Sequence, residues 1–256
     1  MSGNWKMHND HLAAIRTVQD LGLRLDPADV SSVDVSVHPP FVDLRSVQTV
    51  IEDRQIPVSL GAQHCYHQDE GAFTGEVSPG MLESLAVSYV IVGHSERRRL
   101  FAQSDEEVNL TVRAVHRHSM TPILCVGEDE TQRDTGETAE VITSQLKSAL
   151  EGLTVSQVNQ TVVAYEPIWA IGTGNTASAA DAGSGCGQVR SVVAEVAGDE
   201  AASAIRVLYG GSVTSETAPE LASARDVDGF LVGGASLRAP EFVAIVRAAS
   251  PAAVRR

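Results

Sequence analysis

Apolar residues along this chain gather in short runs, and amphipathic stretches separate the runs. Val33 to Val37, Val58 to Ala62, Tyr89 to Gly93, Pro122 to Val126, Thr161 to Tyr165, Arg206 to Gly210 and Gly229 to Gly233 are rich in β-branched or aromatic residues. Near-continuous apolar runs of this length read as strands covered on both faces. Leu12 to Leu25, Leu44 to Ile51, Asp105 to His118 and Ala139 to Leu150 instead space their apolar residues three and four apart. That period predicts helices with one buried stripe. Ser104-Asp105-Glu106-Glu107 reads as a capping box, whose hydroxyl and carboxylate satisfy free amides at a helix start.

Strand and helix patterns alternate throughout, which predicts a parallel sheet covered by helices, either an open doubly wound sheet or a closed barrel. Strand count decides between them. The seven runs and a short one at Gly3 to Lys6 make eight, and 256 residues match the usual size of an eightfold barrel. The expectation is an α/β fold, a (β/α)8 barrel forming a single domain over residues 1–256, with a shortened first strand. Only Met1 and Ser2 precede Gly3, so the barrel floor is expected to leave backbone groups of the neighbouring strands unpaired. The longest stretch with neither pattern, His64 to Ser78, carries Tyr66 and Phe73 and is too apolar to sit free in water.

Charge and cysteine usage narrow the function. A net charge of −14 leaves no basic surface for nucleic acid. Cys65, Cys125 and Cys186 stand far apart and outside any metal-ligand spacing, so neither a disulfide framework nor a structural zinc is expected. No apolar run is long enough for a membrane span, and Met1 to Lys6 lacks the apolar core of a leader. These features point to a reduced, cytoplasmic setting without cofactor or metal.

Reactive groups of a parallel barrel belong at the C-terminal ends of its strands. Asn4 and Lys6 end the first run, His94, Ser95 and Glu96 follow the fourth, and Glu166 ends the sixth. Lys6 is one of only two lysines, the other being Lys147. Each of these residues alone is as well explained by capping or pairing. Their convergence from different strands of one barrel favours chemistry. Gly210-Gly211-Ser212 and Gly233-Gly234 end the last two strands, where exposed amides form a nest for phosphate in many barrels. Ala170 to Asn175, glycine-bearing and directly after Glu166, suits a lid hinged at Pro167-Ile168-Trp169 and Thr176-Ala177-Ser178.

With these residues in place, the chain resembles the triosephosphate isomerase family over nearly its whole length. The motifs are Gly3-Asn4-Trp5-Lys6-Met7, Gly75-Glu76-Val77-Ser78, Val92 to Arg98, Ala164 to Gly174, Tyr209 to Val213 and Phe230 to Leu237. The resemblance implies a TIM barrel that interconverts dihydroxyacetone phosphate and glyceraldehyde 3-phosphate through an enediolate. It makes Glu166 the base, His94 a neutral electrophile, Lys6 and Asn4 the oxyanion stabilisers, and Glu96 a supporting group. It assigns the phosphate to the amides of Gly172, Ser212, Gly233 and Gly234. It also implies a homodimer in which the loop Cys65 to Glu76 enters the neighbour and brings Thr74 near the partner's Asn4 and Lys6. Two departures stand out: Asn175 replaces a basic residue common at the second hinge, and Gly183, Gly185 and Gly187 fall where a helix begins. Glycine costs a helix interior about 0.5 to 1 kcal/mol relative to alanine, so that helix is expected to start late or fray. The rival readings are an isomerase or racemase of a four-carbon ketose phosphate, and a barrel that binds phosphorylated ligands without turnover.

Overall fold

In the computed structural model, which describes residues 1–172 and 177–250, eight parallel strands close into a barrel in chain order. They are β1 (Ser2–Asn4), β2 (Ser36–His38), β3 (Ser59–Ala62), β4 (Tyr89–Val92), β5 (Thr121–Val126), β6 (Val162–Tyr165), β7 (Arg206–Tyr209) and β8 (Gly229–Val232), with β8 beside β1. Their bounds differ from the apolar runs by up to three residues, because ladder pairing ends a strand where apolar character does not. The expected helices form at His11–Arg24, Leu44–Arg54, Asp105–Arg117 and Thr138–Leu150. The predicted capping box is present: the Glu107 amide donates to Ser104 Oγ at 3.1 Å, and the Ser104 amide to Glu107 Oε2 at 3.0 Å.

Successive strand residues face opposite sides of the sheet, and the barrel divides its core accordingly. Ile91, Ile123, Cys125, Val162, Ala164, Leu208 and Leu231 pack together inside the barrel. Val90, Val92, Leu124, Val126, Val163, Tyr165 and Tyr209 belong to a larger core shared with the surrounding helices. Parity then fixes the next inward position. Glu166, two residues past Ala164, enters the barrel mouth rather than the helical layer.

Two expectations are corrected. β1 is short, but β2 is equally short, and the Ser36 amide donates to Met1 O at 2.8 Å. Met1, Tyr89, Ile123 and Val162 close the floor around a cavity of only about 30 Å³, so the anticipated gap beside β2 does not exist. Nor does the glycine-rich helix start late: it runs Ala179–Ala197 and takes in all three glycines. Ser178 caps it reciprocally with Asp181, and Gly185 faces Tyr165 so closely that a Cβ there would lie 2.1 Å from the ring. Contact with the sheet offsets the weak helix propensity. The stretch His64 to Ser78 forms neither helix nor strand; Tyr66 and Phe73 pack on each other with ring centres 4.5 Å apart.

Candidate active site

At the C-terminal end of the barrel a cavity of about 300 Å³ is lined by Asn4, Lys6, His94, Glu166, Gly172, Gly210, Ser212, Gly233 and Gly234, among others. Eight of the nine residues singled out from the sequence therefore meet in one place. Glu96 does not line the cavity but touches Lys6, whose Nζ lies 2.8 Å from Glu96 Oε1.

Lys6 sits in the left-handed region at φ 52°, a conformation that side-chain-bearing residues adopt reluctantly. Its surroundings hold it there. The Lys6 amide donates to Asn4 Oδ1 at 3.0 Å, and Gln63 Nε2 donates to the Lys6 carbonyl and to His38 O, both at 2.8 Å. Gln63 went unnoticed in the sequence. It directly follows β3, so the strand-end rule that found the other residues could have found it.

Glu166 is 2% exposed, and its two carboxylate oxygens have different partners. Oε2 accepts from the Ser95 amide at 2.9 Å, and Oε1 lies 3.0 Å from His94 Nε2. Burial pushes the Glu166 pKa up; His94, the Ser95 amide and Lys6 outweigh it and hold the group below the ordinary carboxylate value. The carboxylate is thus ionised and ready to accept a proton. Glycines make room for it. A Cβ on Gly127 would fall 1.9 Å from Glu166 O, and one on Gly210 would fall 2.9 Å from Glu166 Cγ.

His94 caps helix Ser95–Phe101, and its Nδ1 accepts from the Glu96 amide at 3.2 Å. A ring nitrogen that accepts carries no proton, so this bond selects the neutral imidazole with its hydrogen on Nε2, aimed at the mouth. Burial also opposes the charged ring. The Glu166 carboxylate and, less strongly, that of Glu96 favour it and lift the pKa above its ordinary value; the larger part of the lift goes with Glu166 when it leaves Nε2.

The turn Gly234–Leu237 opens beside the cavity, leaving its first amides without partners inside the turn. The Gly233 carbonyl is tied down by Ser236 N at 2.9 Å and Ser236 Oγ at 2.7 Å. Gly172 stands at φ 70° with no atom within 4 Å of its would-be Cβ. Of the proposed lid, Thr173 to Asn175 lies outside the described residues, as does Thr176 of the second hinge. The first hinge is anchored: Glu128 Oε1 accepts from Trp169 Nε1 at 2.8 Å and from Tyr165 Oη at 3.0 Å, and Arg133 stacks 3.5 Å over the Trp169 ring. Glu128 was also missed, although it lies two residues beyond β5. Among the described residues, no three His, Cys, Asp or Glu side chains are grouped to hold a metal ion.

A buried carboxylate, a neutral imidazole and an ammonium facing a nest of glycine amides make this an eightfold-barrel enzyme equipped for acid–base chemistry on a small anion. The sequence matches the family model described as triosephosphate isomerase over residues 1–249. A triosephosphate isomerase of Saccharopolyspora erythraea is 52% identical over 94% of this chain and 93% of its own length. Those of Streptomyces coelicolor and Corynebacterium glutamicum are each 47% identical, over 96% of both chains and over 99% and 98% respectively. The chain belongs to the triosephosphate isomerase family.

Proposed function

We propose that the chain interconverts dihydroxyacetone phosphate and glyceraldehyde 3-phosphate, with Glu166 moving the proton. The observation that carries this reading is the pairing of an ionised, buried Glu166 with a His94 whose Nδ1 is occupied by a backbone amide. In this structure Glu166 rests on Ser95 and His94. Once it leaves them for the substrate carbon next to the carbonyl, His94 Nε2–H is free to donate to the carbonyl oxygen. Glu166 removes the proton, and the electron pair moves onto the oxygen to give an enediolate. Lys6, with Asn4 bracing its backbone, stabilises the negative charge. Glu166 returns the proton to the adjacent carbon while His94 exchanges a proton between the two oxygens. Aimed donors in a water-poor cavity favour this charge far more than bulk water would. The amides of Gly172, Ser212, Gly233 and Gly234 hold the phosphate, and closure of residues 170–175 keeps the enediolate from expelling it. This division between base and neutral electrophile is the pattern known for the family.

The same reading extends to assembly and setting. Phe73 is 40% exposed at the tip of the loop Cys65 to Glu76, and Met7, next to Lys6, is 93% exposed. A second copy would cover such apolar surface and bring Thr74 to the catalytic lysine, so we assign a homodimer. Cys65, Cys125 and Cys186 are buried and unpaired, and no helix among the described residues is long and apolar enough to cross a membrane. Both facts support a cytoplasmic enzyme. A coupled assay comparing glyceraldehyde 3-phosphate with a four-carbon ketose phosphate tests the proposal. A higher kcat/KM for the three-carbon substrate is expected; a higher value for the four-carbon one, or no turnover of either, refutes it.

A further inference from the structure

The cavity has two cationic side chains, Lys6 and Arg238, and among the described residues only Lys6 is held in a salt bridge. Lys6 is paired with Glu96 at 2.8 Å. Ionised Glu166 adds a negative charge inside the same cavity, and the whole chain carries −14. A phosphate bearing about −1.5 to −2 at neutral pH therefore approaches an unfavourable field. Arg238 is exposed and has no ion-pair partner among the described residues. The nearest acid in sequence, Glu241, feels the charge of Arg238 but forms no salt bridge with it; its carboxylate is held chiefly by the Ser215 amide at 2.8 Å. The root of the arginine is fixed: its amide donates to Ala235 O at 3.3 Å, and its carbonyl accepts from Phe242 N at 2.9 Å. It stands four residues beyond Gly234, where the phosphate nest ends and helix Ala239–Ala248 begins.

We infer that Arg238 recruits the anionic substrate: its unpaired guanidinium at the cavity edge offsets the local negative charge and makes the site selective for phosphorylated ligands. This rests on the isomerase reading for the identity of the substrate, but not for the charge it must accept. The effect is long-range, so it belongs to association rather than to the chemical step. Exposed charges are screened beyond about 10 Å at 0.1 M ionic strength, and the effect fades with salt. Guanidinium geometry is not needed for it. Lysine at this position should serve nearly as well.

The test compares wild type, Arg238→Gln and Arg238→Lys with glyceraldehyde 3-phosphate across ionic strength, alongside calorimetric titration with inorganic phosphate. For Arg238→Gln we expect kcat/KM to fall about tenfold at low salt, within the range of electrostatic steering, with kcat changed less than about twofold. The gap should narrow at high salt, phosphate should bind correspondingly more weakly, and Arg238→Lys should restore both. Unchanged salt dependence and phosphate affinity would overturn the inference, as would a loss confined to kcat or one that lysine does not repair. Should the wild type itself fail to turn over triose phosphate, the isomerase reading falls, and the phosphate titrations still decide the role of Arg238.

Discussion

Replacing Gly210 with alanine should separate stability from activity more cleanly than removing any charged group. Gly210 directly follows β7, its amide donates to Tyr165 O at 2.7 Å, and its φ is not in the left-handed region. Alanine can therefore adopt the backbone without strain, and the lost freedom of the unfolded chain is worth about 0.4 to 1 kcal/mol in favour of the fold. The new methyl, however, falls 2.9 Å from Glu166 Cγ and 3.2 Å from Tyr165 O. Carbon atoms settle about 3.5 to 4.0 Å apart, so Glu166 must retreat by about 0.6 to 1.1 Å. The main-chain oxygen across the ladder yields less readily than a side chain. Misplacing a reacting group by about 1 Å costs on the order of 10²-fold. Gly210→Ala should accordingly melt within a few degrees of wild type while kcat falls about a hundredfold in the coupled assay. A kcat within threefold of wild type would mean that Glu166, once it has left Ser95 and His94 for the substrate, clears the added methyl, and the steric reasoning would fall.

Glu166→Gln should fold normally and lose about 10²- to 10⁴-fold in kcat, since the amide cannot accept the proton; retention of a tenth of the activity would remove Glu166 as the base. His38 is fully buried, and burial lowers its pKa to about 4 from an ordinary value of 6.5. The unfolded chain takes up that proton near pH 6.5 while the folded one refuses it until about 4, so stability drops as pH falls through this window. Between pH 7.5 and 5 the loss is roughly 2 kcal/mol, and urea midpoints for His38→Gln should show a correspondingly shallower decline; an unchanged slope excludes His38 as the source. Shortening residues 171–175 should weaken phosphate binding and release inorganic phosphate with methylglyoxal during turnover; unchanged KM and phosphate release would count against the lid. Phe73→Glu should shift sedimentation from dimer to monomer, and no shift would remove that loop from the interface.

The barrel was legible because each strand had its own apolar run and each helix its own period. The mouth was legible because strand-end polar residues converge there. Gln63 and Glu128 escaped because an isolated amide or acid after a strand looks like any loop residue until the carbonyl or indole it holds is seen. The glycines at 183, 185 and 187 misled for the opposite reason. Propensity counted their cost, but the compensating approach of Tyr165 spans about twenty residues of sequence and has no local signature. The barrel floor also misled, since the length of β1 says nothing about the length of β2.

That contact at Gly185 ties the outer layer of the barrel to the segment that follows Glu166. The ring of Tyr165 is wedged between the helix backbone on one side and Glu128 on the other, and Glu128 in turn grips Trp169 at the hinge. Any side chain at 185 would press the tyrosine toward Glu128, so a helix on the outside of the barrel fixes the position of an indole three residues beyond Glu166.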